Sequence, residues 1–308
     1  MKILVLMSTY NGEKYIKEQM DSILSQKDVE CYVLIRDDGS KDDTLQLLRT
    51  YDGNDRIRII TGKNCGYIRS FSILVEEASK MKGFDYFAFA DQDDRWYPHK
   101  LFIAINRLTK ENKDLPLLYC SNSEIINADG RLKGELFVKH PCQIRKGNIL
   151  INTLTQGCSM VFNRNALILY AENPPVKTIH DRWLMMLCIF MGGKIIYDHT
   201  PLFAYRVHES NAIGVRKKSK GWNAIKDSFR YWFCDKKERP FYIMAKEFHK
   251  RMKDKLNEND LIILEKYVNY RKSIFHRIRF MFAKEYLPYT PTFKRILVQD
   301  VHILTNKV

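Results

Sequence analysis

The segment Tyr86-Phe87-Ala88-Phe89-Ala90-Asp91-Gln92-Asp93-Asp94-Arg95-Trp96 passes abruptly from an apolar run to three carboxylates. An apolar run rich in aromatic rings reads as a buried strand, and the charge that follows marks where it leaves the interior. In open α/β sheets such strand ends border the ligand crevice. Crowding three carboxylates into four positions is costly unless a cation or a donor network offsets the repulsion. Asp-x-Asp in that place suits a hard divalent ion that also holds phosphate oxygens.

The same pattern repeats upstream. Lys2–Ser8 reads as a strand, Thr9-Tyr10-Asn11-Gly12 as a loop, and Tyr15–Leu24 as an amphipathic helix. Val29–Ile35 is a second strand that runs into Asp37-Asp38-Gly39-Ser40, after which Asp42 or Asp43 caps the helix carrying Leu45, Leu47 and Leu48. Ile57–Ile60 is a third strand, followed by Asn64-Cys65-Gly66 and a helix from Ser70 to Met81. Pro98 suits the first turn of the helix after the fourth strand, and Asp94 suits its cap. Alternation of strand and helix over about 110 residues implies a mostly parallel sheet with right-handed crossovers. The polar loops then converge along one sheet edge. Neither GxGxxG nor GxxxxGK[ST] follows the first strand, so the usual dinucleotide and P-loop cradles lack support and carboxylates take their place.

Composition narrows the class. The chain has 308 residues, 45% hydrophobic and 28% charged, as expected of an ordinary globular protein. Seven scattered cysteines without a CxxC pair argue against a zinc site or a disulfide framework and for a reducing, cytoplasmic setting. Met1–Met7 is too short for a signal peptide, and the apolar stretch Trp183–Met191 falls short of the roughly 20 residues a spanning helix needs. The formal net charge of +15 is uneven, since residues 216–308 hold 23 Lys/Arg against 10 Asp/Glu. That shift divides the chain into a body, residues 1–215, and a basic helical region, residues 216–308. Leu256, Leu261, Ile262, Leu264, Tyr267 and Val268 recur at helical spacing within the second. Basic and aromatic residues interleave in Phe229-Arg230-Tyr231-Trp232-Phe233 and in His276-Arg277-Ile278-Arg279-Phe280-Met281-Phe282, which suits either an anionic membrane face or aromatics packed on the catalytic body beneath a solvated charged face.

Ser8-Thr9-Tyr10-Asn11-Gly12 with Glu18-Gln19-Met20-Asp21-Ser22-Ile23, then Arg36 to Thr44, then Asp91-Gln92-Asp93-Asp94-Arg95-Trp96, resemble a family 2 glycosyltransferase with the GT-A fold. The last motif, with His180-Asp181-Arg182-Trp183 and Tyr205-Arg206-Val207-His208-Glu209-Ser210-Asn211, is similar to the bacterial rhamnosyltransferase-like branch. The resemblance covers residues 3–214. It implies that Asp37 and Asp38 contact the base and ribose of a nucleotide sugar, that Thr9, Tyr10 and Asn11 line the same pocket, and that Asp93 ligates Mg²⁺ or Mn²⁺ beside Asp91. It puts Asp181 across the sugar as the general base of an inverting transfer, and Gln156-Gly157-Cys158-Ser159 under the donor sugar.

Weaker expectations complete the set. Trp183 forms a sugar-stacking wall or belongs to the core. Arg206 and His208 follow a strand at Leu202–Tyr205 and face the diphosphate, His208 as an extra metal ligand or phosphate donor. The expected function is transfer of a sugar, L-rhamnose from dTDP-L-rhamnose or a hexose from a UDP donor, to a glycan or lipid-linked acceptor in surface polysaccharide assembly. Such an enzyme works in the cytoplasm or peripherally on the inner face of the membrane. A nucleic-acid-binding protein is the rival from another class, but the acidic loops of the body repel a polyanion, and no nucleic-acid partner is expected. A nucleotidyltransferase would carry a glycine-rich, basic loop after the first strand, which Thr9–Gly12 is not.

Overall fold

The computed structural model describes residues 1–139, 142–151, 155–209, 240–288 and 291–305, leaving the side chain at position 294 aside. The stretches Phe229–Phe233 and Ser210-Asn211, Cys234 and the boundary expected near residue 215 lie outside the described residues. Two compact units emerge, one from Met1–Lys139 with Thr155–Arg206, the other from His140–Leu154 with Val207–Val308.

The first unit is built on one mixed sheet. Its strands are β1 (Lys2–Thr9), β2 (Glu30–Asp37), β3 (Ile57–Thr61), β4 (Tyr86–Ala90), β5 (Arg95–Trp96), β6 (Leu117–Ile126), β7 (Leu132–Leu136), β8 (Met160–Asn163) and β9 (Lys194–Arg206). They run in the order β3-β2-β1-β4-β8-β6-β9-β5, with β7 paired to β6. The first four strands are parallel, as the alternation predicts, while β8 enters antiparallel between β4 and β6. Strands buried on both faces need continuous apolar runs, and Ile3–Met7 and Phe87–Ala90 are fully buried.

The crossovers are α1 (Ile16–Leu24), α2 (Thr44–Arg49), α3 (Tyr67–Lys80) and α4 (Lys100–Leu108). α5 (Arg164–Glu172) and α6 (His180–Phe190) follow later in the chain. Three local expectations shift. α3 starts at Tyr67 rather than Ser70, directly after Gly66, whose φ of 80° breaks the strand direction. Pro98 precedes α4, whose cap position is His99, so it sits ahead of the first turn. Asp94 does not cap that helix, because α4 has no side-chain cap and Asp94 accepts the Arg206 amide instead. Asp42 does serve α2, since its carboxylate accepts the Thr44 amide at 3.1 Å.

The second unit holds α7 (Pro240–Met252), α8 (Glu258–Asn269), α9 (Ile274–Met281) and α10 (Phe293–Leu304). Its core is aromatic: Tyr267 and Tyr270 stack at 5.5 Å, and Phe280 packs on Tyr286 at 4.2 Å. Lys146 bonds both carboxylate oxygens of the buried Asp260, at 2.6 and 2.7 Å. Among the described residues, no helix is long and apolar enough to cross a membrane.

Candidate active site

Parallel register puts Thr9 opposite Asp37 at the C-terminal ends of β1 and β2. Thr9 Oγ1 donates to Asp37 Oδ2 at 3.1 Å, and the Gly39 and Ser40 amides donate to Asp37 Oδ1 at 3.2 and 3.0 Å. Asn11, in the left-handed region at φ 49°, donates its amide to Ser40 Oγ and accepts the Lys41 amide. The first two loops are thereby stitched into one surface. Asp38 accepts Arg36 Nη1 at 2.5 Å and the Cys65 and Gly66 amides at 2.9 and 2.8 Å, which ties in the third loop. Burial pushes the Asp38 carboxyl up, yet the Arg36 and Cys65 donors outweigh it and hold the carboxyl below its usual range. At 2% exposure each, Asp37 and Asp38 anchor loops from beneath rather than offering open oxygens to a base or ribose. Thr9 is equally buried, whereas Tyr10 is 40% exposed.

Gln92 joins these loops to the acidic motif. Its amide brackets the Tyr10 backbone, accepting from the nitrogen at 2.8 Å and donating to the oxygen at 3.0 Å. A Cβ at Gly12 would stand 2.4 Å from Gln92 Oε1, so a side chain there would displace the Gln92 amide from the Tyr10 backbone. From below, Gln19 on α1 donates to the Asp91 carbonyl at 2.9 Å, and Ser22 accepts the Trp96 amide at 3.0 Å. Gln19 and Ser22 were not among the expected site residues. The available signal was two polar residues, three apart, on the apolar face of an amphipathic helix.

The carboxylates crowd as their spacing foretold. Asp91, Asp94 and Cys158 offer ligand-type atoms within 4.8 Å of one another. Burial first, then the charges of Asp93 and Asp181, push the Asp91 carboxyl up to about 7. Burial and the charges of Asp93 and Asp91 raise Asp94 well above its ordinary value, and its Oδ2 has no hydrogen-bond partner. The Cys158 thiol is pushed far up by burial and by Asp94 and Asp91, so it keeps its proton and offers no thiolate. Within this group the carboxyls of Asp91 and Asp94 suit a hard, oxygen-binding cation and the protonated Cys158 does not, while Asp93, expected as the ligand, is not a member of it. His208 lies past β9 in the second unit and is no member of the ligand group found among the described residues.

Lys100 is fully buried, with its ammonium 3.5 Å from the centre of the Trp96 ring. Burial pulls this ammonium down to about 7 against the charges of Cys158 and Asp94.

Arg206 is 1% exposed, and its guanidinium is committed to the protein. Nε donates to the Asp93 carbonyl at 2.7 Å, Nη1 to the Ala128 carbonyl at 3.2 Å, and Nη2 to Glu18 Oε2 at 2.5 Å. The expected contact with a diphosphate gives way to a clamp that fixes the Asp91–Asp94 loop between α1 and β9. Arg95 bonds the other oxygen of Glu18 at 3.3 Å.

Asp181 stands in the first turn of α6, where the helix dipole favours a carboxylate. Its charge is felt at Asp91. The Gln156–Ser159 segment packs against it: a Cβ on Gly157 would meet His180 Nε2 at 2.7 Å and Asp181 Cβ at 3.2 Å. Gln156 donates to Ser123 Oγ at 3.3 Å, and its Oε1 has no hydrogen-bond partner. His180 stacks on Phe71 at 3.8 Å, and burial holds it neutral, down to about 4. Trp183 is fully buried, with its indole donating to the Asn173 carbonyl at 2.6 Å, so it is core and not a sugar wall. The aromatic that does reach the surface here is Tyr67, the first residue of α3. It is 38% exposed and edge-on to His180 at 6.5 Å. Its phenol feels the charges of Asp181 and Arg182. Sequence reading missed Tyr67 because a tyrosine after Asn-Cys-Gly carries no motif of its own.

The model of the family described as "Glycosyl transferase family 2" matches residues 4–167. The chain belongs to glycosyl transferase family 2. Among similar proteins, this transferase is 30% identical over 219 residues to the dTDP-rhamnosyl transferase RfbG of Shigella flexneri, covering 68% of this chain and 73% of that one. It is 28% identical to an uncharacterized glycosyltransferase of Rickettsia typhi, RT0329, across 68% of this chain and 64% of the relative. In fold, the transferase resembles residues 1–349 of S. aureus TarS in complex with UDP-GlcNAc, with a TM-score of 0.58, 16% identity, and coverage of 100% of this chain and 90% of that one. The GT-A architecture of this glycosyltransferase is thus shared at low identity.

The acidic cluster gives the family 2 enzyme a pH signature. A carboxyl raised from 3.8 to about 7 binds its proton more tightly folded than unfolded, so its stabilising contribution is lost as pH rises through 7. His180, held down to about 4 from 6.5, acts in the opposite sense below 6.5. The readout is therefore the difference between wild type and Asp91→Asn. In metal-free thermal melts the variant gains on wild type from pH 5 to pH 8, whereas a constant difference would place the carboxyl in its ordinary range.

Proposed function

We propose that this enzyme is an inverting, metal-dependent transferase that moves a sugar from a nucleotide donor, with dTDP-L-rhamnose the favoured donor, to a glycan or lipid-linked glycan. The observation that carries the reaction is the Gly157-Cys158 turn, which packs on Asp181 through Gly157 and on Asp91 and Asp94 through Cys158, so that Asp181 and the acidic loop border one site. The similarity to RfbG supports the donor.

In this reading the loops Thr9–Gly12 and Asp37–Ser40 form the nucleotide pocket, with the half-exposed Tyr10 as its open aromatic wall. Asp91 and Asp93 hold Mg²⁺ or Mn²⁺. When bound, the ion supplies Lewis-acid stabilisation of the charge left on a departing diphosphate. Asp181 accepts the proton of the acceptor hydroxyl as that oxygen attacks the anomeric carbon from the face opposite the diphosphate. Neutral His180 and Gly157 fix the direction of Asp181 by packing, and the Gln156–Ser159 turn lies under the sugar. Tyr67, between the Asp38-bound loop and Asp181, takes the stacking role first expected of Trp183. A lipid-linked acceptor would bring such an enzyme to the inner face of the cell membrane.

Thermal shift and hydrolysis across a panel of dTDP- and UDP-sugars, with and without Mg²⁺, test the reading. dTDP-L-rhamnose should protect and turn over only with the ion; turnover of a UDP-hexose instead reassigns the donor, and turnover in chelator removes the metal. Tyr67→Ala should weaken affinity for the nucleotide sugar about tenfold while leaving the nucleoside diphosphate unchanged. Equal loss for both ligands would place Tyr67 in the nucleotide pocket instead.

A further inference from the structure

The second unit leaves apolar surface where soluble helices carry polar residues. On α9, Phe275 is 79% exposed, and Phe282, just past its end, is 80% exposed. Phe293, which opens α10, is 84% exposed. These are not scattered side chains. Ile274, Ile278 and Phe282 recur every four residues on the side of α9 away from the buried Phe280. On α10, Phe293, Leu297, Val301 and Leu304 fall four, four and three residues apart on one side, away from the buried Ile303. The two helices are tied together, since Arg277 of α9 donates to the carbonyl of Leu304 at the end of α10 at 2.9 Å.

Charge indicates what covers this surface. Arg279 on α9, Arg295 on α10, and Lys272 and Lys284 in the turns that flank α9 are exposed. Residues 270–305 hold seven Lys/Arg against two carboxylates, Glu285 and Asp300. Glu285 lies 3.7 Å from Lys266, and the two carboxylates leave the segment with a formal excess of five positive charges. A second copy of the chain would bring like charge against like charge. An anionic surface meets the lysines and arginines with opposite charge and takes the phenylalanines into its apolar layer. A nucleic acid satisfies the charge but offers no apolar phase for whole exposed stripes of Phe, Leu and Val.

We propose that α9 and α10 form a membrane-docking face that lies in the interface of an anionic bilayer. Phe275, Phe282 and Phe293 insert, and Lys272, Arg279, Lys284 and Arg295 meet lipid phosphates. No helix spans the bilayer in this arrangement, and binding is reversible. It is independent of which donor the catalytic unit uses.

The test uses the full chain and vesicles of phosphatidylcholine alone or with 30% phosphatidylglycerol, read by co-sedimentation. Binding to the anionic vesicles should exceed that to the neutral ones by about tenfold or more and weaken as salt rises. The triple variant Phe275→Ser, Phe282→Ser, Phe293→Ser should lose about tenfold or more of that binding and keep the wild-type melting temperature, because all three side chains are already in water. No preference for anionic vesicles, or full binding by the triple variant, overturns the proposal. So does concentration-dependent dimerisation that the same substitutions abolish, or tighter binding to a single-stranded oligonucleotide than to vesicles. Because donor protection by nucleotide sugars is measured separately, failure of the docking face leaves the catalytic reading intact, and the reverse holds.

Discussion

Asp181→Asn lowers sugar transfer by about a thousandfold or more while nucleotide protection stays close to wild type. A positioned general base contributes roughly two to four powers of ten, and an amide cannot accept the acceptor's proton. The substitution keeps shape and volume in the first turn of α6, where Asp181 accepts the Arg182 amide at 2.6 Å, and the amide oxygen of Asn retains that bond. The fold therefore stays intact. The loss should fall on kcat, with the affinity for the nucleoside diphosphate unchanged by thermal shift. Retained turnover would take Asp181 out of the base role. A melting temperature several degrees lower would make it a structural carboxylate of the helix start.

Arg206→Ala is the second large effect, and it acts through stability before it acts through binding. Removing the guanidinium deprives the carbonyls of Asp93 and Ala128 and the carboxylate of Glu18 of a buried charged donor. It also leaves a hole under the Asp91–Asp94 loop. Losing a buried guanidinium that serves two carbonyls and the half-exposed Glu18 costs about 2 kcal/mol, a sizeable share of a marginal domain's stability. Denaturant unfolding should show that loss, and metal-dependent donor protection should fall with it as the loop loosens. If Arg206 instead reached a diphosphate, the variant would keep its unfolding midpoint and lose only donor affinity. Glu18→Gln separates the cases further: it weakens the clamp moderately and removes no positive charge.

Much of the fold was legible because its signals are local. Four apolar runs end in polar loops, with helical spacing between them, and the parallel order β3-β2-β1-β4 follows from the right-handed crossover. The antiparallel insertion of β8 between β4 and β6 was not legible. Four apolar residues after a tight turn, Met160–Asn163, carry no information about which strands they will join.

The acidic stretch Asp91–Asp94 and the Thr9–Gly12 and Asp37–Ser40 loops stood out by residue type and placement, since crowded carboxylates at a strand end are improbable without a use, whereas Asp181 came from the resemblance carried by His180-Asp181-Arg182-Trp183. Which side chains reach open space was decided by tertiary packing. Trp183 and Arg206 look like ligand contacts in sequence, but the core takes the indole and the Asp93 and Ala128 carbonyls take the guanidinium. Tyr67 looks like nothing in sequence, yet it stands exposed beside His180 and Asp181 because Gly66 turns the chain into α3 just before it. The physical reason is that charge and chemistry belong to the residue itself. Burial and the partners of a side chain belong to segments that the sequence holds far apart, as Glu18 and Arg206 are, and only the fold brings these together.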